Sequence, residues 1–362
     1  KRRASAKFVF HAGKVFLRNE FLRVASILLN TNLWPLSSLV DIKLTVHCNL
    51  RCQQCSMWSW ASNNELPTES WKKIILDIKD YLGPYFIRFY GGEPFCRSDF
   101  LELLNFCTQN DIVTLMTTNG TFIDEPIVNQ LAKNKIALIH VSLDGIRQET
   151  HDRLRGVPGT FQKAMRAIGL LNGKLPVQIN TTIMEDNLDE ILEIADFACM
   201  NEIRISFQGL LNLNVTDKES VFRLKTGLFP KNLKKLNYVI DELCKKKKNN
   251  KSIVNSYLQL MRFKSYYHGT EIERRKYCEL MYNWHLWIKP NGDVLICNFL
   301  KPIGNVTKNS IGDIWRSGNA ERIIEDMRDC HITGCLTQRG YCREGYGSVL
   351  KKLKRWILNS SV

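Results

Sequence analysis

Six short apolar runs, separated by stretches of helical periodicity, constrain the fold of this 362-residue chain more than any other feature. The runs are VDIKLTV (40–46), FIRFY (86–90), IVTLM (112–116), ALIHVSL (137–143), VQINTTI (177–183) and IRISF (203–207). They have strand length and many β-branched residues. The intervening stretches include TESWKKIILDIKDYL (68–82), where Trp71, Ile74, Ile75, Ile78 and Leu82 share one helical face. Thr68 is expected as the N-cap of that helix, and Asp124 precedes another with Pro126 in its first turn. Strands separated by helices imply an α/β fold with a parallel sheet and right-handed crossovers. A doubly wound sheet and a barrel or partial barrel both fit, and in either the site lies at the C-terminal ends of the strands. Four motifs fall there: the cysteine-rich HCNLRCQQC (47–55), GGEP (91–94), TTNG (117–120) and SLDG (142–145).

The rest of the chain is less regular. Residues 1–38 are basic, with Lys1, Arg2, Arg3, Lys7, Lys14 and Arg18 ahead of the first acidic residue, Glu20. The following apolar and basic residues have roughly helical spacing. A helix packed on the main domain is the favoured expectation, and an amphipathic helix on a membrane surface the other. The expected organisation is this segment, a core over 39–210, a helical linker over 211–276, a second small unit over 277–346 and a basic tail over 347–362. Within the linker, CKKKKNNK (244–251) reads as a solvated loop or helix end. HLWIKPNGDVLIC (285–297) reads as a hairpin turning at Pro290-Asn291-Gly292-Asp293.

No secretory signal opens the sequence and no apolar run is long enough to span a membrane, so a reducing, cytoplasmic compartment is expected. There, clustered cysteines bind metal more often than they pair. Cys48, Cys52 and Cys55 are one ligand short of a structural zinc site unless His47 or a distant residue completes it. They also suit three irons of a [4Fe–4S] cluster, leaving one iron open for a small molecule.

The spacing Cys-x3-Cys-x2-Cys after the first strand resembles the radical S-adenosylmethionine (radical SAM) enzymes. GGEP after the second strand resembles that family's motif for the methionine amino group, and SLDG and HDRLRGVPGTF (151–161) resemble the subgroup with a C-terminal SPASM or twitch extension. The resemblance covers roughly residues 40–345. It implies a partial (β/α)6 barrel whose cluster, on Cys48, Cys52 and Cys55, binds S-adenosylmethionine. It further implies that the backbone of Gly91 and Gly92, with Pro94, approaches the cofactor closely and that Glu93 pairs its ammonium. Ser142 and Arg155 match positions that hold its carboxylate or ribose. Asn119 and Asn180 are further candidates, with a turn or strand-end role an equal alternative. Gln54 departs from the pattern, because an aromatic residue is usual before the third cysteine. Met57 and Trp58 are the nearby residues that could compensate.

Cys278, Gly292 and Cys297 match the C-x13-G-x4-C opening of the extension, where an auxiliary [4Fe–4S] cluster sits. Residues 304–328 resemble its linker and helix. Cys330, Cys335 and Cys342 follow with a departing spacing. Five thiols suffice for one auxiliary cluster, with Cys278 and Cys297 first, Cys335 and Cys342 next and Cys330 spare. A zinc site is the alternative for this set. Full ligation favours an electron-transfer role. Cys96, Cys107 and Cys199 read as buried small residues and Cys244 as incidental.

The resemblance implies reductive cleavage of S-adenosylmethionine to a 5′-deoxyadenosyl radical and abstraction of a substrate hydrogen. An oxidative modification (oxidation, crosslink or epimerisation) of a peptide or protein side chain would follow. The 47 residues before Cys48 do not read as a leader-binding winged helix, which counts against a peptide. The alternative is the same chemistry on a small polyol, aminosugar, nucleotide or lipid. A reducing partner such as flavodoxin or ferredoxin is implied. The net charge of +15 also admits a zinc-stabilised nucleic-acid-binding protein. That reading is disfavoured, because the charges are not interleaved with aromatics and GGEP is left unexplained.

Overall fold

The computed structural model describes His11, Gly13, Lys14, Leu17 and residues 39–60, 64–210, 226–269, 286–297 and 300–328. Six parallel strands form at the six apolar runs: β1 (Leu39–Thr45), β2 (Phe86–Gly91), β3 (Val113–Thr118), β4 (Ile136–Ser142), β5 (Val177–Ile183) and β6 (Arg204–Gly209). Between them run α1 (Thr68–Leu82), α2 (Phe100–Gln109), α3 (Glu125–Leu131), α4 (Gln148–Arg155), α5 (Thr160–Leu171) and α6 (Ile191–Met200). The strands lie side by side in chain order. A doubly wound sheet reverses direction at a switch point, and this one does not, so the winding is that of a barrel.

Alternation sorts each strand into two faces. Val40, Ile42 and Leu44 of β1 and Ile87 and Phe89 of β2 are fully buried in one apolar core with Trp71, Ile75 and Ile78 of α1. The opposite face lines the lumen and is polar. Asp41, fully buried, holds Arg88 of β2 in a two-pronged ion pair. Gln178 of β5 donates to Asn180 Oδ1 at 3.0 Å, and His140 Nδ1 of β4 lies 3.3 Å from both side chains.

The barrel is open. Beyond β6, residues 252–255 run alongside: Ile205 N donates to Ser252 O (2.8 Å), and Asn255 exchanges two hydrogen bonds with the Phe207 backbone. This covers the strand edge. Helices α7 (Leu233–Asn249) and α8 (Tyr257–Tyr267) flank that segment. The lysine run forms the end of α7, where Lys246, Lys247 and Lys248 suit the negative end of the helix dipole.

On the other side, the expected hairpin forms as β7 (Leu286–Ile288) and β8 (Asp293–Leu295), with Gly292 at φ 87° in the turn. It is not a separate sheet. β7 pairs in parallel with β1, and β9 (Gly304–Asn305) follows β8. Helix α9 (Ile311–Trp315) docks on α1: Asp77 accepts from Ile311 N at 2.7 Å, and Arg316 lies 5.7 Å from the Tyr81 ring. Helix α10 (Gly318–Arg328) follows.

Three details differ from expectation. Pro67, not Thr68, caps α1, and the Thr68 hydroxyl instead donates to Asp99 (2.5 Å). Cys96 is exposed because Pro94 starts a short 3-10 turn there rather than a packed helix. Cys107 is buried, while Cys199 and Cys244 are half-buried. In the N-terminal segment, His11 is buried, its Nε2 2.7 Å from Tyr85 O and its ring edge-on to Phe86. It therefore packs on the barrel. Among the described residues no helix is long and apolar enough to cross a membrane.

Candidate active site

The loop after β1 carries Cys48, Cys52 and Cys55 as free thiols. Its anchor is Leu50, almost fully buried. Two backbone bonds clamp it to the end of α4: Arg51 N to Arg155 O (3.1 Å) and Gln53 N to Leu154 O (2.9 Å). Gly156 makes the clamp possible, because a Cβ there would sit 2.2 Å from Arg51 O. Burial pushes the Cys48 thiol up to about 12, and Cys55 is raised for the same first reason. The loop therefore holds these two cysteines protonated until a cation lowers the cost of the thiolate.

The second motif is welded to this loop. Gly92 N donates to Thr45 O at 2.8 Å and Glu93 N to His47 O at 2.7 Å. A Cβ on Gly91 would meet Thr45 O at 2.3 Å, and one on Gly92 would meet His47 O at 2.0 Å. The missing side chains thus admit the chain's own backbone. Glu93 is likewise turned inward. It is fully buried and accepts from Thr118 Oγ1 (2.8 Å), Asn119 N (2.7 Å) and, more weakly, Phe95 N (3.4 Å). Burial outweighs these donors and raises its carboxyl to about 7. Glu93 braces β2 against β3, and Pro94, buried, starts the turn beyond it.

Asn119 ties the third motif to the first: its Nδ2 donates to Asn49 Oδ1 at 2.8 Å while its Oδ1 accepts from Thr121. Asn180 sits with Gln178 and His140, where burial, ahead of the charge on Arg88, lowers His140 to about 4 and keeps it neutral. Ser142 closes β4 opposite Asn180.

The fourth motif supplies a residue that the sequence reading passed over. Asp144, fully buried, accepts from Gln54 Nε2 (2.7 Å), from Thr182 N (2.8 Å) and from Arg155, whose guanidinium lies 2.8 Å away. Arg155 also reaches Cys52 Sγ at 3.8 Å. Gln54 Oε1 and Arg155 Nε are both buried, with no partner among the described residues. An acceptor and a donor thus wait on two side chains that share one carboxylate, beside Cys52. Such orphaned atoms cost about 1–3 kcal/mol each unless a bound polar group meets them. Met57 and Trp58 form a short turn just beyond. Trp58 donates to Cys55 O (2.8 Å) and lies under Arg51 (5.1 Å), so it fastens the loop.

Among the described residues, no three His, Cys, Asp or Glu side chains converge as ligands of a single metal ion would. Three thiols on one loop, a guanidinium on one of them and unmet polar atoms alongside instead fit a cluster with a polar cofactor. The family described as the radical SAM superfamily matches residues 42–198, and the iron-sulfur cluster-binding SPASM domain matches 278–342. The chain belongs to the radical SAM superfamily.

As a SPASM-containing radical SAM enzyme, it uses a [4Fe–4S] cluster and S-adenosylmethionine, with auxiliary iron–sulfur in the extension. It is 28% identical to an AdoMet-dependent heme synthase of Methanosarcina barkeri, over 80% of this chain and 85% of that protein. It is 27% identical to a PqqA peptide cyclase of Rhizobium meliloti, over 79% and 75%. For several other curated relatives the match spans under half of their length. The fold is that of Streptococcus suis SuiB bound to precursor peptide SuiA (TM-score 0.61, 21% identity, 83% of this chain and 69% of that one). Of the second cysteine set, Cys297 is buried just after β8, and Cys278, Cys330, Cys335 and Cys342 lie outside the described residues.

Proposed function

We propose that Cys48, Cys52 and Cys55 hold the [4Fe–4S] cluster and that the enzyme oxidatively modifies a side chain of a peptide or protein. The observation carrying the ligand assignment is the pair of orphaned atoms, Gln54 Oε1 and Arg155 Nε, beside a loop of three free thiols. When bound, the cluster and S-adenosylmethionine supply one-electron cleavage of the sulfonium and the radical that takes hydrogen from substrate.

The chain's own residues prepare that event. Arg155 stabilises charge on Cys52 Sγ, and the Leu50 N–H points at Cys48 Sγ (3.4 Å). The free faces of Gln54 and Arg155, with Ser142, receive polar groups of the cofactor. The segment Gly91–Pro94 holds the rim in register with the loop. Auxiliary ligation falls to Cys278 and Cys297 with Cys335 and Cys342, leaving Cys330 spare. Flavodoxin or ferredoxin, in the cytoplasm, is the class of reductant.

A peptide substrate is supported by relatives whose names include one, among them a peptide cyclase and a protein bound to its precursor peptide. The match to a heme synthase over most of both chains supports a second reading, the same chemistry on a small molecule. Replacing Cys52 by Ala tests the first assignment. The variant should lose all cleavage of S-adenosylmethionine and one cluster's worth of iron while keeping the auxiliary iron. Cleavage at the wild-type rate would overturn it.

A further inference from the structure

Lys43 stands on β1 between two core residues, Ile42 and Leu44, so alternation turns it to the lumen. The β1–β7 register pairs Val40 with Leu286, Asp41 with Trp287 and Ile42 with Ile288. The register ends there, and Lys289, the residue after β7, lies close enough for its charge to act on Lys43. Burial first, and then the charge of Lys289, lower the Lys43 ammonium to about 8. Its Nζ lies 4.9 Å from the ring centroid of Trp60, five residues after Cys55. Cys55 itself is near enough to act on the same ammonium.

The neighbouring carboxylates are engaged elsewhere: Asp293, whose backbone O accepts from Lys289 N across the hairpin (2.9 Å), has its carboxylate held by Asn291 and Asn305 (2.9 Å each). Asp41 is paired with Arg88. Glu65 accepts from Thr45 Oγ1 (2.8 Å) and Val46 N (2.7 Å) and faces Arg97 at 3.7 Å. Glu93 is closed in by Thr118 and Asn119. Among the described residues, neither Lys43 nor Lys289 has a carboxylate partner. Two like charges brought together on half-buried side chains are costly until an anion joins them.

We propose that Lys43 and Lys289, walled by Trp60, form a subsite for a carboxylate of the substrate, between the cysteine loop and the β7–β8 hairpin. The assignment rests on the radical reading above and narrows its substrate to one that carries an acidic group. A carboxylate is chosen over a phosphate because a peptide carries its anions as carboxylates. Those come from an acidic side chain, whereas a small-molecule substrate would present a free acid.

Saturation-transfer NMR on the full reconstituted chain tests this, with glutarate and the capped peptide acetyl-Gly-Glu-Gly-amide as probes. Transfer to one or both acids is expected, with none to uncharged glutaramide. Binding should fall about tenfold or more in Lys43→Met and in Lys289→Met and persist in Lys43→Arg. Stronger binding of the capped peptide marks a peptide source, and stronger binding of glutarate a free acid. No transfer to either acid, undiminished binding in both Met variants, or displacement of both probes by inorganic phosphate at a much lower concentration would overturn the subsite. Cleavage of S-adenosylmethionine by the wild-type protein is measured separately. Its failure would remove the radical reading and leave glutarate binding to be judged by itself.

Discussion

Substituting Gly92 by Ala should detach the cysteine loop from the strand that carries GGEP. The added Cβ would fall 2.0 Å from His47 O and 2.5 Å from His47 C, both backbone atoms that cannot rotate away. Reaching ordinary contact requires the two segments to part by roughly 1.4 Å, since such contact starts at 3.4 Å. That separation opens the bonds Gly92 N–Thr45 O and Glu93 N–His47 O. Opening them costs about 1 kcal/mol each, and more where a buried group is stranded. Overpacking adds about 1–3 kcal/mol. The sum, about 3–6 kcal/mol, is comparable to the whole stability of many domains. For a chain of 362 residues it corresponds to a fall in Tm of roughly 4–8 °C. Thermal unfolding followed by fluorescence, with iron determined after reconstitution, reads both consequences. Gly169→Ala is the control, because nothing lies within 4 Å of its Cβ position. A Gly92→Ala protein with Tm within about 1 °C of wild type and full iron would refute the reasoning.

Three further outcomes are expected. Asp144→Asn places an amide against donors from Gln54, Arg155 and Thr182, and should cost about 3–5 kcal/mol, measured by chemical unfolding; an unchanged unfolding midpoint would count against the buried charge network. Gln54→Leu removes the orphaned acceptor, so S-adenosylhomocysteine should bind about tenfold more weakly by calorimetry while iron content holds; equal affinity would show that the atom does not face the cofactor. Glu93, raised from 4.5 to about 7, holds its proton more tightly folded than unfolded. Its contribution is therefore complete below pH 4.5 and lost as pH rises through 7, about 3 kcal/mol in all. His140, lowered from 6.5 to about 4, acts in the opposite sense, with stability present above 6.5 and lost toward 4. The wild-type curve must therefore be compared with that of Glu93→Gln, and parallel curves would show that Glu93 does not titrate there.

The six strands were legible to within two residues at either end, because half-buried strands and amphipathic helices leave strong periodic signals. The convergence of four motifs on one rim was legible too, since every C-terminal strand end of such a sheet lies on the same side. Asp144 was passed over although SLDG was noticed, because its importance comes from Gln54 and Arg155, 90 and 11 residues away in the chain. The charged Asp41 and Lys43 inside an apolar strand were a usable sign of a polar lumen.

The amino-acid sequence by itself determined the αβ alternation, the three clustered thiols and the family, because these depend on residue type and local spacing. Only the tertiary structure decided that the hairpin joins the barrel sheet at β1 and so brings Lys289 to Lys43. It also decided that the glycines of GGEP receive the chain's own backbone, and that Gln54 and Arg155 each keep one polar atom unmet. Those facts depend on which distant segments touch, and close contact between segments is not encoded in the spacing of either one.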